Sequence, residues 1–244
     1  MSDSARSNAV ELPKRFYETV SVEAEDGVYA IRLDGRSVRT PSRRVLVAPS
    51  RRIAEIIAAE WRGQGERIDP ATMPATRLIN TVIDGIADDP LPVRDDAARF
   101  AETDLLFYRA DAPERLVERQ RLSWDPIVAW AERLAGGRFV LGQGVMHVAQ
   151  PPATLEGVRR VLSSETNPFR IAALHQMTTL TGSVLIALAV MHGHLDVDQA
   201  WVAAHVDEDW NIEQWGADEE AEARRARRFA DMRAAAEMAS PNPD

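Results

Sequence analysis

The hydrophobic period of this chain changes once, at Ser50, and that change constrains its fold more than any other feature. Between Phe16 and Pro49 the stretches "YETVSVE", "VYAIRL" and "RRVLVA" carry β-branched or aromatic residues, punctuated by Asp26-Gly27 and Asp34-Gly35. Asp-Gly beside apolar runs favours tight hairpins, because glycine adopts positive φ without a steric penalty. The first part therefore reads as a small β unit. Ser50 then stands at the N-cap of a helix on which Ile53, Ile56, Ile57 and Trp61 share one face, closed by Gly63 and Gly65.

A second helix follows "DPATMP". At about 100° per residue, Leu78, Ile79, Val82, Ile83 and Ile86 fall on one arc, while Arg77, Asn80, Thr81 and Asp84 gather on the opposite one. One side packs, and the other is available for a contact between domains or with a partner. Beyond the proline-rich "DDPLPV" the periodicity predicts helices over residues 93–106, 114–124, 126–134, 155–163, 169–191, 197–215 and 218–238. "RFVLGQGVMHVAQPP" alternates and ends in two prolines, so it is expected to be an extended bridge between helices. The expected fold class is α+β: an N-terminal α+β domain over residues 1–90 and a helical domain over 91–244. The last helix carries acids first, arginines later and only a thin apolar stripe of Ala226, Phe229, Met232 and Ala236, which predicts a peripheral element.

Composition narrows the chemistry. The formal charge is −9, and nucleic-acid binding needs a clustered positive field, so no nucleic-acid partner is expected. Lys14 is the only lysine, which removes a Walker A loop and with it nucleotide hydrolysis. Without cysteine there is no disulfide, thiolate ligand or thiol nucleophile. The N-terminal twenty residues lack an apolar signal core and read as a short disordered lead. The longest apolar run, "VLIALAVM", is far shorter than the ~20 residues that span a bilayer, so a cytoplasmic protein without membrane insertion is expected.

Three places carry candidate chemistry. "HGHLDVD" offers His192 and His194 as metal donors, but Asp196 is placed to cap the next helix and no second ligand cluster has zinc spacing. Ser183 sits in an apolar helix rather than a G-x-S-x-G elbow, so close packing is its expected role. The third is "AHVDEDWNIEQWG". With Trp201 at the origin of a helical wheel, Ala204, Glu208, Ile212 and Trp215 fall within about 60° of it, placing Glu208 inside an aromatic stripe, while Val202, Val206 and Trp210 form a second apolar arc. A helix apolar on both faces is either sandwiched in a core or offered to a partner.

These residues carry a resemblance. "KRFYETVSV", "LDGRSVRTP", "EWRGQGERIDPATMPATRLINTVID", "DLLFYRA", "WDPIVAW", "GVMHVAQPP", "LTGSVLIALA" and "VDEDWNIEQWGADEEA" occur in the order seen in the F-type ATP synthase assembly chaperones of mitochondria and alphaproteobacteria, which the chain resembles over nearly its whole length. The resemblance implies a chaperone rather than an enzyme, with no cofactor. Its implied partner is the free ATP synthase alpha subunit, shielded until a beta subunit takes the same surface. The family's D-E-x-W motif maps onto Asp207, Glu208 and Trp210. With Trp201 and Trp215 these are the expected client-binding residues, and the arc of Arg77, Asn80, Thr81 and Asp84 is a second candidate surface. Two other readings stand beside this one: a metal-dependent hydrolase using His192, His194 and Glu208, and a structural subunit of a stable complex.

Overall fold

The computed structural model describes residues 11–144 and 146–240. Of the expected disordered lead, residues 1–10 lie outside that range, but residues 11–20 are ordered: the Arg15 backbone N–H donates to the Glu66 carbonyl at 2.9 Å, Tyr17 is buried and the first strand begins at Val20. The fold is α+β. Strands β1 (Val20–Glu25), β2 (Val28–Leu33), β3 (Arg36–Ser37) and β4 (Val47–Ala48) make an antiparallel sheet in which β2 pairs with each of the others. The Asp-Gly turns form as predicted, with φ of 46° and 83° at Asp26 and Gly27 and 48° and 75° at Asp34 and Gly35. Such paired positive φ values match the twist of the flanking strands. Asp34 also accepts from the backbone N–H of Thr19 (2.8 Å) and of Glu18 (3.1 Å), bonds that hold its carboxyl below the usual carboxylate range.

The sheet buries Ile31 and Leu33 beneath helix α1 (Arg51–Arg62), whose inward face is Ile53, Ala54, Ile57 and Ala58. Ser50 accepts from the N–H of Ile53, as the capping argument requires. Helix α2 (Pro74–Thr81) continues as a π-turn over Val82–Ile86, and its predicted apolar arc is buried throughout. Met73, the residue before α2, offers no side-chain cap. Glu60 of α1 supplies one from outside, accepting from the N–H of Ala75 (2.7 Å) and Thr76 (2.8 Å) and from the Thr76 hydroxyl (2.6 Å). Burial raises the Glu60 pKa against the lowering effect of those bonds. Much of the long "EWRGQGERIDPATMPATR" motif thus fastens α1 to α2.

Helices α3 (Leu91–Arg99), α4 (Glu114–Ala135), α5 (Pro152–Ser163), α6 (Pro168–Thr181), α7 (Val184–Met191), α8 (Val197–Ala204), α9 (Val206–Trp215) and α10 (Glu219–Ala239) follow. Between α4 and α5 the chain is mostly irregular, as expected, and Gly142–Gln143 (β6) pairs in parallel with Tyr108–Arg109 (β5). The helices correct the sequence reading at five points, four of them boundaries and the fifth the burial of α10. The helix expected over residues 93–106 ends at Arg99, because Asp104 caps a separate 3-10 turn by accepting from the Leu106 N–H. Residues 114–135 form one helix rather than two. Pro126 lies inside it, and the carbonyl that loses its helical donor belongs to Leu122, a solvent-exposed position where the loss is least costly.

The helix expected over 169–191 breaks at Gly182, which is left-handed (φ 69°, ψ 14°), and at Ser183, which caps α7 by accepting from Ile186 N–H at 3.0 Å. Ser183 is therefore a cap, not a packing device. The helix expected over 197–215 breaks at His205 (φ −118°, ψ 21°). Finally, α10 is not peripheral. Its second half buries Met232, Ala234, Ala235, Met238 and Ala239 against α6 and α2, so that buried side chains run as one cluster from Tyr17 to Ala239.

Candidate functional site

The break at His205 sets the geometry of the site. The His205 ring lies against Trp201, with centroids 3.9 Å apart, and its Nδ1–H donates to the Trp201 carbonyl at 2.7 Å. A side-chain donor on that carbonyl ends α8, and α9 starts on a new axis. A wheel drawn through 197–215 therefore loses its phase after His205, and the outcome for each residue differs. Trp201 is buried at 6% exposure, packed on Phe229 of α10 at 5.0 Å. Trp215 is 87% exposed. Glu208 is not enclosed in an aromatic stripe, since about half of its side chain is exposed, at 48%.

Even so, Trp201, Glu208, Ile212 and Trp215 line one feature, an open groove of about 790 Å³ between α9 and α10. Its apolar floor gains Ala226 and Phe229 from α10, and Arg119 of α4 stands at its rim. The α10 wall is built from the thin apolar stripe that predicts a peripheral helix. Its members divide: Ala226 and Phe229 face the groove, and Met232 enters the core. Trp210 is half-buried and lies outside the lining, and Asp207 turns inward to accept from Gln120 Nε2 at 2.7 Å.

The charges around the groove are mostly matched within the chain. Arg119 pairs with Glu213 at 2.6 Å and Arg225 with Asp209 at 2.5 Å. Arg224 holds Glu220 and Arg228 donates to the Leu180 carbonyl, both at 2.8 Å. Glu208 borders these arginines but pairs with none; the ionisable group it approaches is His205, with Nε2 at 3.7 Å. Burial is the main reason that His205 titrates below an ordinary imidazole, and Arg225 and Arg228 add to it against the opposing Trp201 carbonyl and Glu208. With Nδ1 carrying the proton of the neutral ring, Nε2 offers Glu208 no donor.

The second candidate surface is largely committed inside the molecule. Arg77 pairs with Asp231 of α10, Thr81 donates to the Arg77 carbonyl, and Asp84 accepts from the Thr40 hydroxyl (2.6 Å) and the Ser42 N–H (3.0 Å). Asn80 is half-buried, and its Oδ1 finds no hydrogen bond. The residues of the hydrolase reading do not converge. His194 stacks on Trp130 (4.9 Å, 6°) with His192 beside it, whereas Glu208 sits at His205, and among the described residues no group of three or more His, Asp or Glu side chains is placed to hold a metal ion. No helix among them is long and apolar enough to cross a membrane.

Known proteins share both sequence and architecture. The family model described as ATP12 chaperone protein matches residues 14–132. The mitochondrial protein atp12 of Schizosaccharomyces pombe is 24% identical over 220 residues, covering 85% of this chain and 75% of its own length. The Atu1473 protein of Agrobacterium tumefaciens superposes with a TM-score of 0.87 at 49% identity, over 93% of this chain and 85% of that one. Atp12 of Paracoccus denitrificans does so with a TM-score of 0.83 at 39% identity, over 93% and 97%. Identity of that order along almost all of both chains, carried by the same fold, means that this chain belongs to the ATP12 chaperone family.

Proposed function

We propose that this chain is an ATP-independent assembly chaperone for the catalytic sector of ATP synthase, which binds the free alpha subunit and yields it when a beta subunit docks. The observation that carries the reading is the α9–α10 groove: an open apolar floor beside a carboxylate, Glu208, that pairs with no arginine among the described residues. An unassembled subunit exposes contiguous apolar interface, which is an aggregation liability, and a groove of this kind covers such a surface without chemistry. Release needs no hydrolysis, because a beta subunit with a better interface displaces the chaperone by mass action. The protein acts in the cytoplasm on this reading.

Within the chain, the Arg77–Asp231 pair supports the polar arc as a contact between two domains, residues 1–90 and 91–244, rather than as client surface. Capture of the alpha subunit on this protein, expressed with and without beta, tests the function. The alpha subunit is held in the absence of beta and lost in its presence; retention unchanged by beta would point to a permanent subunit instead. Glu208→Gln keeps the side-chain size and removes the charge at a half-exposed position, so the variant folds with near wild-type stability and loses protection of the alpha subunit. Normal protection by that variant would remove Glu208 from the client surface.

A further inference from the structure

The groove between α9 and α10 has a pattern of unmatched charge that specifies its occupant. Its two rim arginines are spent on Glu213 and Asp209. Three lining carboxylates remain. Asp218 is engaged as the cap of α10, accepting from the Ala221 N–H at 3.1 Å. Glu208 has only the unprotonated side of His205. The exposed Glu222 side chain, on the α10 wall, has no ion pair or hydrogen bond among the described residues. Between these acids the floor is apolar, formed by Ile212, Ala226, Phe229 and the edge of Trp201.

Any segment that covers this floor also removes water from Glu208 and Glu222. A desolvated carboxylate without a partner is costly, so an acidic or wholly apolar occupant would lose much of what burial of the floor contributes. An occupant carrying cations on either side of an apolar residue satisfies both demands and is drawn in by the field of the rim.

We propose that the groove receives a cationic amphipathic segment of the alpha subunit, laying an apolar side chain on Ile212 and Phe229 and pairing arginine or lysine with Glu222 and Glu208. This rests on the reading of the chain as an alpha-subunit chaperone. It makes Glu222, on the α10 wall, a binding residue in its own right. The test uses the full-length protein and measures suppression of aggregation of the alpha subunit diluted from denaturant. Glu222→Gln weakens capture about 3- to 10-fold and Glu222→Lys more than about tenfold, the range of a single desolvated charge pair and its reversal. Glu219→Lys, on an exposed residue of the same helix that does not line the groove, leaves capture within twofold of wild type and controls for the altered helix dipole. Added salt weakens capture by the wild type more than by Glu222→Gln. A photoreactive p-benzoylphenylalanine at position 215 cross-links to an alpha-subunit peptide with lysine or arginine beside an apolar residue.

Capture by Glu222→Lys equal to that of the wild type, or cross-linking only to acidic peptides, overturns the groove proposal while the chaperone reading stands. Failure of the wild type itself to capture the alpha subunit overturns both.

Discussion

Removing α10 is the perturbation that most sharply separates this structure from the reading of α10 as a peripheral helix. Met232 is fully buried and Met238 is 5% exposed, and Ala234, Ala235 and Ala239 pack beside them. Full burial of a methionine contributes about 1.5–3 kcal/mol, so the two methionines together account for roughly 3–6 kcal/mol before the alanines are counted. Truncation after Gly216 also deletes Asp231 and Glu237, the partners of Arg77 and Arg52, and strips the Ala239 carbonyl from Arg170. Against a net stability of about 5–15 kcal/mol for a folded domain, that loss leaves little.

The truncated chain should therefore lose its cooperative urea transition, followed by near-ultraviolet circular dichroism and tryptophan fluorescence. The milder Met232→Ala should cost about 3 kcal/mol while keeping a single transition, because the cavity it leaves lies between helices that relax only partly. A truncated protein that unfolds cooperatively within about 1 kcal/mol of the full chain would refute the packing argument, since the methionine burial alone exceeds that. A Met232→Ala cost below about 1 kcal/mol would do the same for the single position.

Three further outcomes follow from particular contacts. Asp104 is fully buried among the N–H groups of Leu106 and Leu185, and burial pushes its pKa up to about 6; its folded value lies above the unfolded ~3.9, so its contribution of about 3 kcal/mol is complete below pH ~4 and lost as pH rises through 6, and Asp104→Asn should abolish that slope in urea titrations at a series of pH values. A Cβ at Gly157 would lie 2.0 Å from the Ala135 carbonyl oxygen, so Gly157→Ala should force α4 and α5 apart at a cost of about 1–3 kcal/mol or more in thermal or urea unfolding. Glu60→Ala removes the external cap of α2 and should destabilise by about 2 kcal/mol, and a cost under about 0.5 kcal/mol would show the Ala75 and Thr76 donors to be satisfied by water instead.

What the sequence made legible was local pattern. The Asp-Gly turns and the apolar arc of α2 follow from φ preference and helical period, which act over a few residues. What it concealed was set by contacts at long separation. Pro126 reads as a stop, and only the solvent exposure of Leu122 shows why the helix runs through it. Gly182-Ser183 is a C-terminal glycine followed by an N-cap, a signal present in the sequence but outweighed by the apolar run around it. Asp104 and Glu60 are single carboxylates in quoted motifs, and nothing in their spacing announces that burial makes them internal caps.

The groove combines both kinds of information, and α10 explains how. A continuous helix would align Ala204, Glu208, Ile212 and Trp215 with Trp201; of these, Glu208, Ile212 and Trp215 do line the groove and Ala204 does not, although His205 breaks that helix. Those residues share a groove because α10 supplies its opposite wall. That wall is held where it is by the buried second half of the same helix and by Arg52, Arg77 and Arg170 on its far end. No side chain over residues 219–228 of α10 is fully buried, so this half is placed by the core that anchors the second half, together with the Arg225–Asp209 pair, the bond from Arg228 to the Leu180 carbonyl and Phe229 against Trp201. The sequence shows the same division as a change from charged to alanine- and methionine-rich composition within one helix, where acids and arginines before residue 229 leave the groove open and the apolar residues after it hold the wall in place.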